Sequence, residues 1–372
     1  MKHARAAIFE GKAGHCRVRS VPLPEPTAAE VLVKVLGCTL CGSDLHSLEG
    51  RRSVPVPTVL GHEIVGEVLA RGDSAPATDL AGRALRVGDR VTWAIVASCG
   101  ACPFCLRGLP QKCLKGVKYG HETMVPGREL LGGLASHCLL VPGTAIARLP
   151  DDLPLEVACP TSCATATVAA ALEAAGGLEG RRVCLFGLGM LGLTAAAMTR
   201  ARGAAEVVGV DPDKERRAQA PAFGASRVAG LDEFAGVEAS GDLFDVVIEL
   251  SGSPAAFVAA WPRVQVGGTI VLVGSVFPGA PVSIALEQVV RRHLTIRGVH
   301  NYAPRHLVTA VDFLAAEHKK RPFAELVAEW YPLAAVDEAF ARALRGGAIR
   351  VGVRPEGPTR SRADRPGSGT VS

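Results

Sequence analysis

The sequence predicts an α/β protein in two parts: a β-rich, largely antiparallel and partly barrel-like body, then a doubly wound parallel sheet. Three observations predict it. The first 150 residues hold short Val-heavy runs broken by Gly and Pro. Between Arg182 and Asp211 an apolar run, a glycine turn, an Ala-rich stretch and a second apolar run follow one another. The same strand and helix alternation then continues toward the C-terminus.

At 372 residues the chain is longer than one core usually supports, so two domains are expected. Its 48% hydrophobic and 21% charged content is that of a globular protein. A net charge of +5 is small for this length, and only 5% of residues are aromatic. Without aromatics interleaved among the basic residues, no stacking platform for nucleic acid is supplied, and a noncatalytic zinc module binding nucleic acid is disfavoured. No run of eighteen apolar residues occurs, and MKHARAAIFE lacks the apolar stretch of a secretory signal. A cytoplasmic protein with no membrane partner is expected. Eleven cysteines, an odd number, argue against a complete disulfide framework.

In chain order, Val31 to Cys38, Ile64 to Leu69 and Arg90 to Trp93 read as strands, and helical periodicity is almost absent from this part. Within it Cys41-Gly-Ser43-Asp44-Leu-His46 is answered by Gly61-His62-Glu63. Thiolate and imidazole are ligands zinc favours, and a site with three protein ligands and one open position is its catalytic form. One cysteine and one histidine are weak evidence alone, because a buried thiol and a satisfied core imidazole look the same. Further on, Cys99, Cys102, Cys105 and Cys113 stand at spacings of three, three and eight. Four thiols so close fit a closed structural zinc site; an iron–sulfur cluster is the competing reading.

From about Asp151 the composition changes, and Cys159 to Ala175 reads as a small-residue helix. Arg182–Phe186 reads as a buried strand, followed by Gly187-Leu188-Gly189-Met190-Leu191-Gly192 and a helix to about Arg202. A second strand, Glu206 to Val210, ends at Asp211, 24 residues after Gly187. Strand, glycine turn, helix, strand and terminal acid together form a dinucleotide fingerprint: Gly187 makes the turn, Gly189 lets the backbone approach the pyrophosphate, and Gly192 lets helix pack on strand. Asp211 would hold the ribose hydroxyls and repel a 2′-phosphate, favouring NAD over NADP. Lys214, Arg216 and Arg217 moderate that preference. Asp245–Glu249, a helix from about Pro254, and Gly268–Gly274 extend the alternation. Helices are expected near Arg305 to His318 and Ala335 to Leu344, and a disordered tail over 355–372.

Taken together, CGSDLH, GHEIVGEV, GDRV, the four-cysteine lobe, the glycine fingerprint and Asp211 resemble the zinc-containing medium-chain alcohol dehydrogenase family, over about Ala6 to Arg354. The resemblance implies a GroES-like catalytic domain over 1–155 with a structural zinc lobe at 95–116. It implies a Rossmann domain over 156–299 that binds NAD, and a return of 300–354 to the first domain. It makes Cys41, His62 and Cys163 ligands of a catalytic zinc, with Cys159 as rival third ligand and Glu156 too early for that role. Asp44 would orient His62, Glu63 would lie behind the metal, and Thr167 would lie beside the nicotinamide. Ser43 would accept the substrate proton and His46 pass it to solvent. Two zinc ions per chain, a small alcohol or carbonyl substrate, and a homodimer or homotetramer formed through the nucleotide domains, near Val282 to Val290, are implied.

Arg51 and Arg52 follow His46 on a loop that the family places by the substrate cleft, where two arginines could hold a phosphate, phosphonate or carboxylate. Lys118 and His121 add polar groups nearby. Strings such as EGRRSVPVPTVLGHEIVGEV and KYGHE are most similar to a subgroup associated with phosphonate metabolism and with phosphorylated cyclitols. The expected reaction is therefore hydride transfer between a nicotinamide and a polar, anionic alcohol of polyol or cyclitol type. An uncharged alcohol or polyol is the alternative, and a zinc-free reductase would lack these cysteines.

Overall fold

The computed structural model describes residues 2–12, 14–235 and 243–355; of the expected tail, all but Pro355 lies outside the described residues. The strand Val31–Thr39 organises the first body. Seven of its nine residues are buried, which suits a strand covered on both faces. It pairs antiparallel with Glu63–Arg71, with His137–Leu140 and with Arg350–Arg354, so the last described strand closes onto the first body's sheet. Val327–Pro332 adds to the outer side of Arg350–Arg354 in parallel. A small antiparallel sheet of Arg17–Pro22, His3–Phe9 and Thr58–Val59 shares the same apolar core, built on Ile8, Val33, Leu60, Ile64 and Phe340.

The second body is a six-stranded, wholly parallel sheet. Its spatial order is Arg227–Ala229, Glu206–Val210, Arg182–Phe186, Phe244–Glu249, Val264–Leu272, Thr295–Gly298, which is sequence order 3-2-1-4-5-6. Val183, Leu185, Val207, Val208, Val246, Val247 and Ile270 are fully buried, because helices cover both faces. One face carries the Ala-rich helices Ala164–Ala175 and Met190–Ala201 with Pro304–Glu317; the other carries Pro254–Ala260. The order reverses between Arg182–Phe186 and Phe244–Glu249, and open sheets of this kind generally take their ligands in the crevice at the carboxyl ends of such strands. The edge strand Thr295–Gly298 is flanked by the helix Leu286–Arg291, which exposes Leu286 and Val290.

Two expectations need correction. Residues Gly42–Leu48 form a helix in the part read as nearly helix-free; seven residues are too few to display a 3.6-residue period. The helix read as starting at Cys159 is broken. Leu155–Ala158 and the single 3-10 turn Cys159–Ser162 meet Ala164–Ala175 at a bend of 52°, with Cys163 at the break. Pro160 supplies no N–H to the ladder. The Ser162 carbonyl instead accepts from the Tyr302 hydroxyl, and Ser162 Oγ donates to the His62 carbonyl at 3.2 Å.

Candidate active site

Asp44 is the residue on which the site is built. It is fully buried at the third position of the helix Gly42–Leu48. Its Oδ2 accepts the Cys41 N–H at 2.9 Å, and its Oδ1 meets the Gly61 N–H and His62 Nδ1, both at 3.2 Å. One carboxylate therefore sets the helix start that carries Cys41 and the orientation of the His62 ring. Gly61 sits at φ +92°, and a Cβ there would stand 2.7 Å from Cys38 Sγ, so only glycine gives the turn that presents His62.

Cys163, at the helix break, completes a cluster. The ligand atoms of Cys41, His62 and Cys163 all lie within 4.8 Å of one another, and the two sulfurs are 3.9 Å apart. Two sulfurs bound to one tetrahedral zinc at about 2.3 Å stand about 3.8 Å apart, so the geometry fits that ion. A hydrogen bond from the Cys163 thiol, and the Arg350 charge, hold Cys41 well below an ordinary thiol against the cost of burial. The same bond, then burial, holds Cys163 well above. Burial pulls His62 down, but the Asp44 carboxylate outweighs it and raises the ring to about 10. The three groups thus share protons among themselves, and it is the distances that fit an ion. Cys159 does not join them: it is fully buried, its thiol pushed up by burial, and its Sγ packs near Gly37.

Ser43 Oγ lies 3.4 Å from His62 Nε2, and His46 lines the same cleft with its ring edge-on to Phe277 at 4.6 Å. Glu63 is fully buried behind Cys41. Its Oε2 accepts from Thr39 Oγ1 at 2.6 Å and from Arg350 Nε at 3.0 Å, and its Oε1 from Arg350 Nη2 at 3.1 Å. Arg350 Nη2 also reaches Cys41 Sγ at 3.7 Å. Sequence reasoning missed Arg350, which stands 287 residues beyond Glu63 and carries no local motif.

The cleft of about 470 Å³ runs from this cluster to the glycine turn, and Thr167, Gly189, Met190, Leu191 and Gly192 line it. Thr167 stands one helical turn beyond Cys163, its N–H bonded to the Cys163 carbonyl at 3.0 Å. Gly187 has φ +95°, and a Cβ on Gly192 would lie 1.8 Å from the Gly187 carbonyl oxygen. A Cβ on Gly189 meets nothing within 4 Å, so it would fill open cleft where a pyrophosphate would approach. Asp211 is buried, its oxygens accepting the Leu188 N–H at 2.7 Å and the Asp213 N–H at 2.9 Å. The turn and the acid are therefore fastened to each other. Arg216 lines the cleft close by.

The four lobe cysteines also converge, with all four sulfurs within 4.8 Å; Cys102 is 3.5 Å from Cys105 and 3.9 Å from Cys113. Backbone N–H groups, first that of Cys105, draw Cys102 down to about 6. The strand pair Val96–Ala97 and Val117–Lys118 brackets the lobe and delivers Lys118 to the cleft. The two loop arginines part company. Arg51 is exposed and pairs with Glu49, whereas Arg52 lines the cleft and donates to His121 Nε2 at 2.6 Å.

An alcohol dehydrogenase GroES-like domain model matches residues 27–151, and a zinc-binding dehydrogenase model matches 191–316. The chain is 31% identical to a geraniol dehydrogenase of Castellaniella defragrans, covering 93% of this chain and 96% of the relative. It is 32% identical to an L-threonine 3-dehydrogenase of Aeromonas hydrophila over 75% of this chain and 79% of the relative. The crystal structure of an alcohol dehydrogenase from Thermotoga maritima superposes with a TM-score of 0.88 at 25% identity, covering 96% of this chain and all of that one.

Proposed function

We propose that this chain, which belongs to the zinc-containing medium-chain alcohol dehydrogenase family and is an oxidoreductase on CH–OH donors, uses NAD to interconvert an anionic alcohol and its carbonyl. The observation that carries the reaction is the cluster of Cys41, His62 and Cys163 beside a cleft that the glycine turn also lines. The groups these residues would hold supply a Lewis acid, which lowers the pKa of bound water from 15.7 to about 7 and acts likewise on an alcohol, and a hydride acceptor. Ser43 takes the hydroxyl proton at Oγ and gives up its own in the same step. His46, held below its ordinary value by burial and then by Arg51, receives the proton that Ser43 releases and passes it to solvent. Thr167 and the wall of Leu250, Val273 and Val276 exclude water around the reacting carbon. Cys99, Cys102, Cys105 and Cys113 would hold a second zinc that pins the lobe.

The substrate's charge rests on Arg52 and on the absence, among the described residues lining the cleft, of any aspartate or glutamate. An uncharged alcohol would leave that charge unanswered. With NAD and the full-length chain, kcat/KM should be about tenfold or more higher for a phosphorylated or phosphonylated polyol than for its neutral counterpart, the worth of one charge-assisted contact. Equal values for the pair would overturn the anionic reading and favour an uncharged alcohol, as the name of the geraniol relative suggests.

Asp211 supports NAD. Replacing it by asparagine should raise the KM for NAD by roughly tenfold, the loss of a charged acceptor for ribose hydroxyls, while NADP changes less. Parallel losses for both cofactors would assign Asp211 to holding the Leu188 turn alone.

A further inference from the structure

Hydride transfer does not by itself require the cationic wall this cleft presents. Arg52 comes from the loop after the first helix, Lys118 from the strand that closes the four-cysteine lobe, and His300 and Asn301 from the segment after the last strand of the parallel sheet. Across the described residues lining the cleft, four side chains are arginine or lysine and none is an acid. Arg350 among the four is already neutralised by Glu63, and Arg216 lies by the glycine turn near Asp213. Arg52 and Lys118 form no ion pair with a carboxylate among the described residues.

The nearby acids are committed elsewhere. Asp44 serves Cys41, Gly61 and His62, and Glu122 accepts the backbone N–H of Lys118 at 2.6 Å instead of pairing with its ammonium. Arg52 spends one of its five N–H groups on His121 Nε2. His121 accepts that N–H at Nε2, which a protonated ring could not do, and donates from Nδ1 to the Tyr119 carbonyl at 2.9 Å, so it offers no charge. The other N–H groups of the Arg52 guanidinium have no protein acceptor among the described residues. His300 is held by Lys112, again by a cation.

The crowding registers in each group. Burial and then Arg52 bring Lys118 down to about 8, while burial and then Lys112, Lys118 and Arg52 bring His300 down to about 4. Positive groups have been assembled in one half-buried place with no carboxylate paired to them; the negative groups they feel, Asp44 and the Cys41–Cys163 pair, belong to the cluster with His62. Such an arrangement costs free energy in the empty cleft and returns it when an anion arrives.

We propose that Arg52 and Lys118, faced by His300 across the cleft, form a subsite for a tetrahedral dianion, the phosphonate or phosphate-ester group of the substrate, and that Lys118 sets the preference for a dianion over a carboxylate. The proposal rests on the anionic-alcohol reading above and narrows it. Two unpaired cations balance two negative charges, whereas a carboxylate would leave one cation unanswered. The planar fork of arginine takes two oxygens and the ammonium point charge takes the third. The lobe pinned by Cys99, Cys102, Cys105 and Cys113 thereby acquires a part in substrate choice, because it carries Lys118.

The test is an equilibrium one and needs no turnover. Inorganic phosphate and acetate are titrated separately into the full-length, zinc-loaded chain with NADH saturating, so that the pyrophosphate position is filled. Phosphate should bind at least about tenfold more tightly than acetate in the wild-type protein, a comparison that needs no variant. Lys118→Ala should weaken phosphate by about ten- to hundredfold and bring it level with acetate, and Lys118→Arg should retain most of the difference. Equal binding of the two anions, or phosphate binding unchanged in Lys118→Ala, overturns the subsite. Phosphate binding as stated, in a protein that oxidises no alcohol, supports the subsite and sinks the reaction assignment alone. Neutral alcohols oxidised without any phosphate preference sink the subsite and leave the reaction standing.

Discussion

Cys163→Ala should leave the chain with one zinc in place of two and lower turnover on the order of a thousandfold or more, since a metal Lewis acid contributes several kcal/mol at the reacting oxygen and each 1.36 kcal/mol is tenfold. Cys159→Ala should keep both metals and most of the turnover. The Cys163 sulfur is 3.9 Å from Cys41 and shares a proton with it, whereas Cys159, four residues earlier, is sealed in the core under the strand Val31–Thr39. Metal content by mass spectrometry and kcat on the same samples check it. Loss of the metal in Cys159→Ala, with Cys163→Ala unaffected, would reverse the assignment of the third ligand.

That pair of cysteines shows where the sequence stops being informative. Spacing alone places Cys159 and Cys163 one helical turn apart on one face, and both remain candidates as long as the helix is taken as continuous. The structure interrupts it, because Pro160 cannot donate and Ser162 is bonded outward to Tyr302 and His62. The interruption depends on partners 100 and 140 residues distant, which no local window contains. The glycine turn was legible for the opposite reason: strand, Gly187, Gly189, Gly192 and Asp211 lie within one short βαβ unit, and their geometry is local. The lobe cysteines were legible likewise.

Arginines on the loop were legible only by type. Arg51 and Arg52 are adjacent, yet one faces solvent and pairs with Glu49 while the other enters the cleft, a division that the backbone after the helix Gly42–Leu48 decides. The helix itself was hidden by its shortness. What named it in retrospect is Asp44, whose carboxylate caps the Cys41 N–H, a signal that looks like an ordinary acid until His62 and Gly61 are seen to converge on it.

Arg350→Leu is expected to destabilise the fold by about 3–5 kcal/mol, the cost of leaving one member of a buried ion pair without its partner. Glu63 is fully buried and the Arg350 side chain is 11% exposed, so little solvent screens the pair. Two contacts, at 3.0 and 3.1 Å, make it bidentate, and Thr39 Oγ1 completes the Glu63 shell at 2.6 Å. The pair does more than neutralise charge. Arg350 opens the strand Arg350–Arg354, whose pairing with Val31–Thr39 fastens this last described strand to the sheet that leads to Cys41. Adding Glu63→Gln to Arg350→Leu should recover a large part of the loss, because the buried charge is then gone, while Glu63→Gln alone leaves a buried guanidinium and should also be costly. Denaturant midpoints for the wild type, both single variants and the double variant close this cycle. A single Arg350→Leu chain within about 1 kcal/mol of wild type would mean that water or a rearranged partner takes the arginine's place, and that the pair does not hold the strand Arg350–Arg354 against the sheet that leads to Cys41.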